Sequence, residues 1–266
     1  MADQDGFSLF TSIRYDPILL HDGSDPCSAF YMLEYHRDRI LRAATHFQWE
    51  QAIRSLSGPE GLSRLAASAE AALGEPRLGG GGDDTQRRLR IIVDRHGSIS
   101  VETHATAPVA RENLLPARLP APGAAPAAGE ARVLPRPWAV VPDDIGTAPC
   151  EHTHYKTTRR GLYDSARRRM AIARADEREV LLVHRADGTV MEGSITTPYF
   201  WRDGRWVTPP VPREFSPSGG GGGQDGTTRR GIAVEQPVRA DSLQHGEECW
   251  ISNGVRGFIA GRVCLE

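Results

Sequence analysis

Lysine is almost absent from this sequence. Lys156 is the single lysine among 32 Lys and Arg residues, and it lies in the stretch HTHYKTTRR, residues 152–160. An amine that loses its proton when desolvated can attack a carbonyl and form an imine, whereas a guanidinium stays charged and is not nucleophilic. The retained lysine therefore indicates imine chemistry, with a solvated surface lysine as the alternative.

Long apolar runs, an excess of one charge sign and paired cysteines are also missing. No apolar stretch approaches the length that spans a bilayer, and no basic segment followed by an apolar one opens the sequence, so we expect a cytoplasmic protein with no membrane partner. The 32 basic and 34 acidic residues give a net charge of −2, which excludes a general attraction to nucleic acid. Without CxxC spacing, the cysteines are expected to be reduced packing residues: Cys27, Cys150, Cys249 and Cys264.

Motifs for nucleotides and metals are absent or incomplete. The chain contains no GxxxxGK[ST], and no GxGxxG lies between a predicted strand and helix. CEHTH at 150–154 offers Cys150, His152 and His154, but no fourth ligand is evident, so we predict no metal site. The arginines at 167–169 lack interleaved aromatic residues and are expected to form a solvated helix face.

Periodicity and turn signals divide the chain into two halves. The first half reads as a strand, FSLFTSIRYDPILL, two helices, SAFYMLEYHRDRILRAATHF and SRLAASAEAAL, and a hairpin, RLRIIVDRHGSISVETHA. The second half reads as a helix, LYDSARRRMAIARA, two hairpins that turn on Asp-Gly, a glycine run leading into a last helix, and a closing strand and turn. Residues 116–132 are rich in Pro, Ala and Gly without periodicity, and we predict that they form a linker.

The second half also carries groups suited to a phosphorylated aldehyde cofactor. Pyridoxal phosphate needs a lysine for its carbonyl, an acid beside its pyridine nitrogen and donors for its phosphate. Glu192 lies at the end of an apolar strand in TVMEGSITT, and GTTRR at 226–230 offers backbone N–H groups and two hydroxyls. Taken singly, Glu192 is more typical of a surface glutamate, and GTTRR reads as a flexible glycine loop with a threonine N-cap.

Five segments in this order resemble the fold type IV (class IV aminotransferase) family of pyridoxal phosphate enzymes: YHRDRILRAA, HYKTTRR, MEGSITTPYFWRDGRWVTPP, GTTRRGIAVE and ISNGVRGF. SLFTSIRYDP and HYKTTRRGLYDSAR look most like fungal-type 4-amino-4-deoxychorismate lyases. The resemblance implies an α+β chain with the cofactor in the interdomain cleft. It also implies an N-terminal α/β domain at 1–115, the linker at 116–132, a C-terminal cofactor-binding domain at 133–266 and assembly as a homodimer.

The same resemblance implies the roles of individual residues. Lys156 would form the internal aldimine and act as acid and base, Glu192 would pair with the pyridinium, and Arg39 would clamp the phosphate. The remaining phosphate ligands would come from two turns: Thr227 and Thr228 in one, and Ser252, Asn253 and Gly254 in the other.

Departures from the family pattern bear on the substrate. Transaminases of the family often place a tyrosine shortly after the lysine to bond the cofactor phenolate, whereas the nearest tyrosine here is the displaced Tyr163. Arg14 and Arg95 are candidate partners for substrate carboxylates, since a dicarboxylate needs cations near the cofactor.

The resemblance implies a pyridoxal-phosphate-dependent lyase that converts 4-amino-4-deoxychorismate to 4-aminobenzoate and pyruvate, a step of folate biosynthesis. An aminotransferase acting on a D-amino acid, a branched-chain amino acid or a primary amine would use the same cofactor residues. A non-enzymatic interaction module is a third reading, which the joint presence of Lys156, Glu192 and Arg39 disfavours.

Overall fold

A computed structural model describes residues 6–21, 29–74, 85–133, 136–173, 176–212, 215 and 231–265. The chain divides into two compact units, Met1–Pro108 with Tyr155–Arg159, and Val109–His154 with Arg160–Glu266. Both units combine helices with β-sheet, as the predicted α+β class requires. Within the described residues, no helix is both long and apolar enough to cross a membrane.

The first unit contains a three-stranded antiparallel sheet in the order β1-β2-β3: β1 (Leu9–Tyr15), β2 (Arg87–Val93) and β3 (Ile99–Ala105). In β2 the buried residues Leu89, Ile91 and Val93 alternate with less buried ones, which is the pattern of a strand with one face on the core. The hairpin predicted for residues 88–105 is therefore confirmed. Its turn contains Gly97 at φ 77°, where an added Cβ would lie 2.7 Å from the Gln51 carbonyl oxygen, so this position requires glycine.

Three helices accompany this sheet: α1 (Leu33–His46) packs on β1, α3 (Gly58–Leu73) packs on β3, and α2 (Glu50–Leu56) packs on the other two helices. A short 3-10 helix, Pro17–His21, precedes them. The buried residues of α1 recur at helical spacing and form one stripe: Leu33, His36, Ile40, Ala43 and Ala44. His36 and Thr11 are polar residues within this otherwise apolar contact, and their side chains bond each other.

The second unit contains an eight-stranded mixed sheet in the order β6-β5-β4-β11-β10-β7-β8-β9. Its strands are β4 (Trp138–Pro142), β5 (Arg178–Val183), β6 (Val190–Gly193), β7 (Thr197–Arg202), β8 (Arg205–Thr208), β9 (Val234–Glu235), β10 (Glu248–Asn253) and β11 (Gly257–Val263). The helices of this unit are α4 (Arg111–Leu114), α5 (Glu151–His154), α6 (Gly161–Arg169) and a 3-10 turn, Ala240–Ser242.

Alternation along the strands assigns the side chains of this sheet to separate apolar clusters. On β10, Ile251 joins a cluster with Phe200, whereas its neighbour Trp250 joins a cluster with Trp206. Helix α6 covers β5, where Tyr163 packs with the buried Leu182. Helix α6 therefore packs on β5, the strand that pairs with β6.

Residues 116–132, predicted to be a linker, are instead packed within the second unit. Leu119 and Ala131 are buried in the cluster around Trp206, whose indole N–H donates to the carbonyl oxygens at positions 119 and 120. Asn113 is buried and its amide bonds the Phe258 carbonyl of β11 at 2.9 Å. The prediction missed this because two apolar residues in a Pro/Gly-rich segment show no periodicity.

Two local predictions near the end of the chain have different outcomes. The Asp-Gly hairpin of β7 and β8 is confirmed, with Asp203 at φ 51° and Gly204 at φ 77°, the backbone that this turn type needs. The last helix, predicted to follow the glycine-rich segment that ends at Val234, is wrong: Val234 and Glu235 pair with β8 as β9, and the only helical segment among the described residues between β9 and β10 is the 3-10 turn Ala240–Ser242. The hairpin turn of β5 and β6 also contains the predicted Asp-Gly, with Gly188 at φ 71°.

Candidate active site

Lys156 lies in a segment that crosses from one unit to the other and back. Helix α5 ends at His154 in the second unit, Tyr155–Arg159 belong to the first unit, and α6 follows in the second. The Phe10 N–H donates to the Lys156 carbonyl at 3.0 Å, and the Thr158 N–H donates to the Ser8 carbonyl at 2.8 Å. These bonds hold the lysine backbone along β1.

The residue before the lysine anchors the same segment. Tyr155 is buried and its ring packs 4.5 Å from the His46 ring and 5.6 Å from the Phe47 ring, measured between centroids. Three residues after the lysine, the Arg159 guanidinium lies 5.0 Å from the centre of the Phe7 ring. The backbone at Lys156 is thus fixed from both sides, whereas the lysine side chain itself is only partly buried.

Arg39 projects from α1 beside a buried histidine. Its Nη2 donates to Thr11 Oγ1 and lies 3.1 Å from His36 Nδ1, and Thr11 Oγ1 lies 2.5 Å from the same nitrogen. Burial, with the charges of Arg39 and Lys156, lowers the pKa of His36 well below its usual value. The neutral ring accepts at Nδ1, because a guanidinium can only donate, and it orients Arg39 without adding charge.

The first unit therefore brings Lys156 and Arg39 to the same histidine. The two cations both lower the proton affinity of His36, which means that they share one electrostatic environment. Helical spacing places His36 and Arg39 on one face of α1, and the packing of α1 on β1 brings Thr11 within bonding distance of both. The first unit thus contains both the amine of Lys156 and the guanidinium of Arg39, a group that can bind an anion through two N–H donors.

Glu192 lies on β6 in the second unit and accepts a hydrogen bond from a tyrosine. The Tyr163 hydroxyl is 2.5 Å from Glu192 Oε1 and 3.1 Å from the Thr153 carbonyl oxygen. Burial first, and then the charge of Glu192, raise the pKa of Tyr163 well above its usual value. The phenol consequently keeps its proton at neutral pH and donates it.

Tyr163 is a functional candidate to which the sequence assigned no role. Seven residues separate it from Lys156 in the chain, and α6 carries it into the cluster that covers β5. The Arg160 guanidinium stacks over its ring at 4.6 Å and donates to the Ser194 carbonyl at 2.7 Å. An aromatic residue on the buried stripe of the helix that follows the lysine was the available signal.

The turn between β10 and β11 contains the predicted Asn253 and Gly254. Asn253 Oδ1 accepts from the N–H groups of Val255 at 3.0 Å and Arg256 at 2.9 Å, and Ser252 Oγ lies 3.0 Å from the Tyr199 hydroxyl. These bonds give the turn a defined shape, and its phosphate role stays a prediction. Thr227 and Thr228 lie outside the described residues.

The two predicted substrate arginines have different environments. Arg14 is fully buried on β1, where Nε donates to Asp16 Oδ2 at 2.7 Å and Nη1 to the Ala107 carbonyl at 3.0 Å. These bonds engage Nε and Nη1 of Arg14 within the protein, and its role toward a substrate carboxylate stays a prediction. Arg95 is exposed in the turn between β2 and β3.

The described residues contain no group of three or more potential metal ligands. Of the CEHTH stretch, Cys150 is a free thiol and His154 packs 6.1 Å from the Phe215 ring. Cys249 and Cys264 are also free thiols, and burial raises the pKa of Cys249.

The donors present suit a phosphorylated pyridine aldehyde. Lys156 offers an amine for the aldehyde carbon, Arg39 offers a planar pair of N–H donors for a phosphate, and Glu192 offers a carboxylate for a protonated ring nitrogen. Glu192 Oε1 accepts a hydrogen bond from the Tyr163 hydroxyl, which fixes the orientation of the carboxylate. On this donor chemistry, the residues fit the predicted cofactor.

Comparison with known proteins gives one family. The model of a family described as amino-transferase class IV matches residues 9–263. No curated protein matches the chain.

Solved structures share the fold at low sequence identity. A "putative amino-acid aminotransferase" from Mesorhizobium loti is 20% identical, with a TM-score of 0.63 and coverage of 97% of this chain and 99% of the other. A "putative 4-amino-4-deoxychorismate lyase" is 21% identical, with a TM-score of 0.56 and coverage of 96% and 84%. The pyridoxal-phosphate-bound form of a "hypothetical aminotransferase" from Mycobacterium tuberculosis is 16% identical, with a TM-score of 0.54 and coverage of 96% and 81%.

Proposed function

The chain belongs to the class IV aminotransferase family, whose members depend on pyridoxal phosphate, and we propose that it is a lyase that acts on 4-amino-4-deoxychorismate. Its fold is the predicted fold type IV, and it is an enzyme of this family. The products of the proposed reaction are 4-aminobenzoate and pyruvate.

One observation carries the proposal: the only amine side chain in the sequence is held in place by strand-like bonds on both sides. Lys156 is the sole lysine, and the N–H of Phe10 and the carbonyl of Ser8 fix its segment on β1. A surface lysine needs no such anchoring, whereas a covalent attachment point for a cofactor needs a fixed origin for its long side chain.

Bound pyridoxal phosphate would withdraw electrons from the substrate carbon that bears the amino group. Arg39 would bind the phosphate bidentately, since Thr11 and His36 orient its guanidinium. Glu192 would accept a hydrogen bond from the ring nitrogen and keep it protonated, while Tyr163 holds Oε1 of the same carboxylate.

Lys156 would supply both proton transfers. Its neutral amine would take the proton from the substrate carbon that bears nitrogen. The carbon–oxygen bond to the enolpyruvyl group then breaks and the ring becomes aromatic. The lysine ammonium returns the proton to the departing enolpyruvate, which gives pyruvate, so the reaction consumes no 2-oxo acid.

The bonding of Tyr163 favours a lyase over a transaminase. The family resemblance implies that transaminases often place a tyrosine after the lysine to bond the cofactor phenolate, but the single proton of Tyr163 is directed at Glu192, 2.5 Å away. An aminotransferase is the second candidate, because a structure that matches over 99% of its own length is described as one.

The first experiment follows 4-aminobenzoate after adding 4-amino-4-deoxychorismate, without any 2-oxo acid, to the enzyme loaded with pyridoxal phosphate. We expect product from the wild type and none from Lys156→Arg, which keeps the positive charge and loses the nucleophile. A wild type with a pyridoxal absorption band but no product contradicts the lyase, and an amine-donor screen with 2-oxo acids then tests the aminotransferase.

We also propose that the enzyme is a homodimer, as the family resemblance implies. Light scattering of the loaded enzyme should give twice the mass of one chain, and the mass of a single chain would contradict this.

A further inference from the structure

A fully buried carboxylate lies next to the segment that follows Glu192. Glu179, on β5, has no exposed surface. Further along β5, Leu181 pairs with Gly193 and Leu182 pairs with Glu192, at the end of β6. An ionised side chain in such a place is unfavourable unless hydrogen bonds and an opposite charge compensate for its lost hydration.

The hydrogen bonds that compensate the Glu179 carboxylate come from residues 194–196, just after Glu192, and from Val180, the next residue on β5. Glu179 Oε1 accepts from the Ser194 hydroxyl at 2.5 Å, the Ser194 N–H at 3.0 Å and the Val180 N–H at 2.9 Å. Oε2 accepts from the Thr196 hydroxyl at 2.8 Å and the Ile195 N–H at 3.2 Å. Three consecutive residues therefore close around one carboxylate.

Charge and packing complete the arrangement. Arg167 on α6 lies 3.7 Å from Glu179 Oε1, between Nη1 and oxygen, and donates to the Ser194 hydroxyl at 3.0 Å. A Cβ on Gly193 would lie 2.4 Å from Thr196 Oγ1 and 3.0 Å from the Glu179 side chain. Only glycine at 193 allows the turn to approach the carboxylate this closely, so the turn and Glu179 are fitted to each other.

We propose that Glu179 is a positioning residue that fixes the turn at residues 193–196 and, through it, the direction of the Glu192 carboxylate. Tyr163 bonds that carboxylate from one side, and the turn held by Glu179 fixes the backbone that carries it. The pair of constraints directs Glu192 at the ring nitrogen of the cofactor. This inference depends on the proposed function, which assigns Glu192 to that nitrogen.

Glu179→Gln is the variant that tests it. The amide keeps the size of the side chain, but it removes the charge and turns an N–H donor toward the N–H and hydroxyl donors of residues 194–196. Glu177→Gln is the matched control, because it makes the same chemical change two residues away at an exposed position. The measurements are the dissociation constant of pyridoxal phosphate, after removal and rebinding of the cofactor in the full chain, and the absorption maximum of the bound cofactor.

A double-mutant cycle with Glu192→Gln separates positioning from general stability. If Glu179 acts through Glu192, Glu179→Gln weakens cofactor binding about tenfold in the wild-type background and has no further effect once Glu192 is Gln. The absorption maximum should shift with Glu179→Gln and stay unchanged with Glu177→Gln. A melting temperature that falls equally in both backgrounds measures the structural contribution separately.

Equal weakening in both backgrounds, or no weakening in either, overturns the proposal. Should Glu179→Gln not fold, Thr196→Val replaces it, since valine keeps the volume and removes one donor to Oε2; the same non-additivity is expected at about threefold. The single variant Glu192→Gln reports on the proposed function. If that variant alone leaves both affinity and spectrum unchanged, the assignment of Glu192 fails, and the positioning proposal fails with it.

Discussion

Replacing Tyr163 by phenylalanine removes one hydroxyl and leaves the ring in place. The structure assigns that hydroxyl to Glu192 Oε1 at 2.5 Å, within an apolar cluster that includes Leu182. A hydrogen bond to a charged group contributes about 1.5–3 kcal/mol to stability. Because phenylalanine fills nearly the same volume, we expect the free energy of unfolding to fall by about 2 kcal/mol through the lost bond alone.

Tyr199→Phe provides the matched comparison. Tyr199 is also fully buried in the second unit, but its hydroxyl meets the neutral hydroxyl of Ser252 at 3.0 Å. A bond between neutral groups contributes about 0.5–1.5 kcal/mol, so the loss should be roughly half that of Tyr163→Phe. Urea unfolding of the cofactor-free protein, followed by tryptophan fluorescence, measures both losses.

The pH dependence of this difference has a definite sign. Burial and the charge of Glu192 raise the pKa of Tyr163, so the folded phenol stays protonated while an unfolded tyrosine ionises above about pH 10. The stabilisation by Tyr163 is thus fully present below pH ~10 and is lost as the pH rises toward the folded pKa. The difference in the free energy of unfolding between the wild type and Tyr163→Phe should be constant from pH ~6.5 to pH ~9 and should become smaller at higher pH.

Equal losses of unfolding free energy in the two tyrosine variants would refute this reasoning, because they would show that the bond from Tyr163 to the Glu192 carboxylate is no stronger than a bond between neutral hydroxyls. A pyridoxal absorption maximum that is unchanged in Tyr163→Phe would refute the part that concerns the site.

Three further changes test other parts of the chain. His36→Gln should reduce the loss of stability at acid pH. The pKa of His36 is depressed in the folded protein, so the free energy of unfolding of the wild type falls by up to about 1.4 kcal/mol per pH unit below pH ~6.5. The control variant His104→Gln, at an exposed position, should keep this slope. Gly257→Ala should lower the free energy of unfolding by more than about 2 kcal/mol, since φ is +62° and the new Cβ would lie 2.2 Å from a backbone oxygen of α4. Gly246→Ala is the control: φ is also positive there but the space is open, so the free energy of unfolding should fall by only about 1 kcal/mol. Arg39→Lys should weaken pyridoxal phosphate at least about tenfold in a binding titration, because an ammonium cannot replace a bidentate fork, and unchanged affinity would argue against Arg39 as the phosphate ligand.

The local elements could be predicted from the sequence because their signals lie within a few residues. Asp203 and Gly204 adopt the positive φ values that Asp-Gly favours in a two-residue hairpin, and the alternation in β2 specified which face is buried. The same holds for the family: the lone lysine and five spaced motifs were sufficient to identify the class IV fold.

Contacts between distant segments could not be predicted in this way. Residues 116–132 resemble a linker by composition, yet Leu119 and Ala131 are buried against strands that begin at Thr197 and later in the chain. The partners of Arg14 are a second example, since its guanidinium bonds the carbonyl of Ala107, 93 residues later in the chain. Composition and charge do not encode which distant group a side chain meets.

The sequence by itself determined the family of this protein, and its single lysine among so many arginines defines the one side chain that could form an imine. Only the tertiary structure decided how that chemistry is supported. Tyr163 reaches Glu192 because α6 packs on β5, and Glu179 reaches residues 194–196 because β5 and β6 pair. Both contacts depend on sheet register and helix packing, which are properties of the whole core and not of any short stretch.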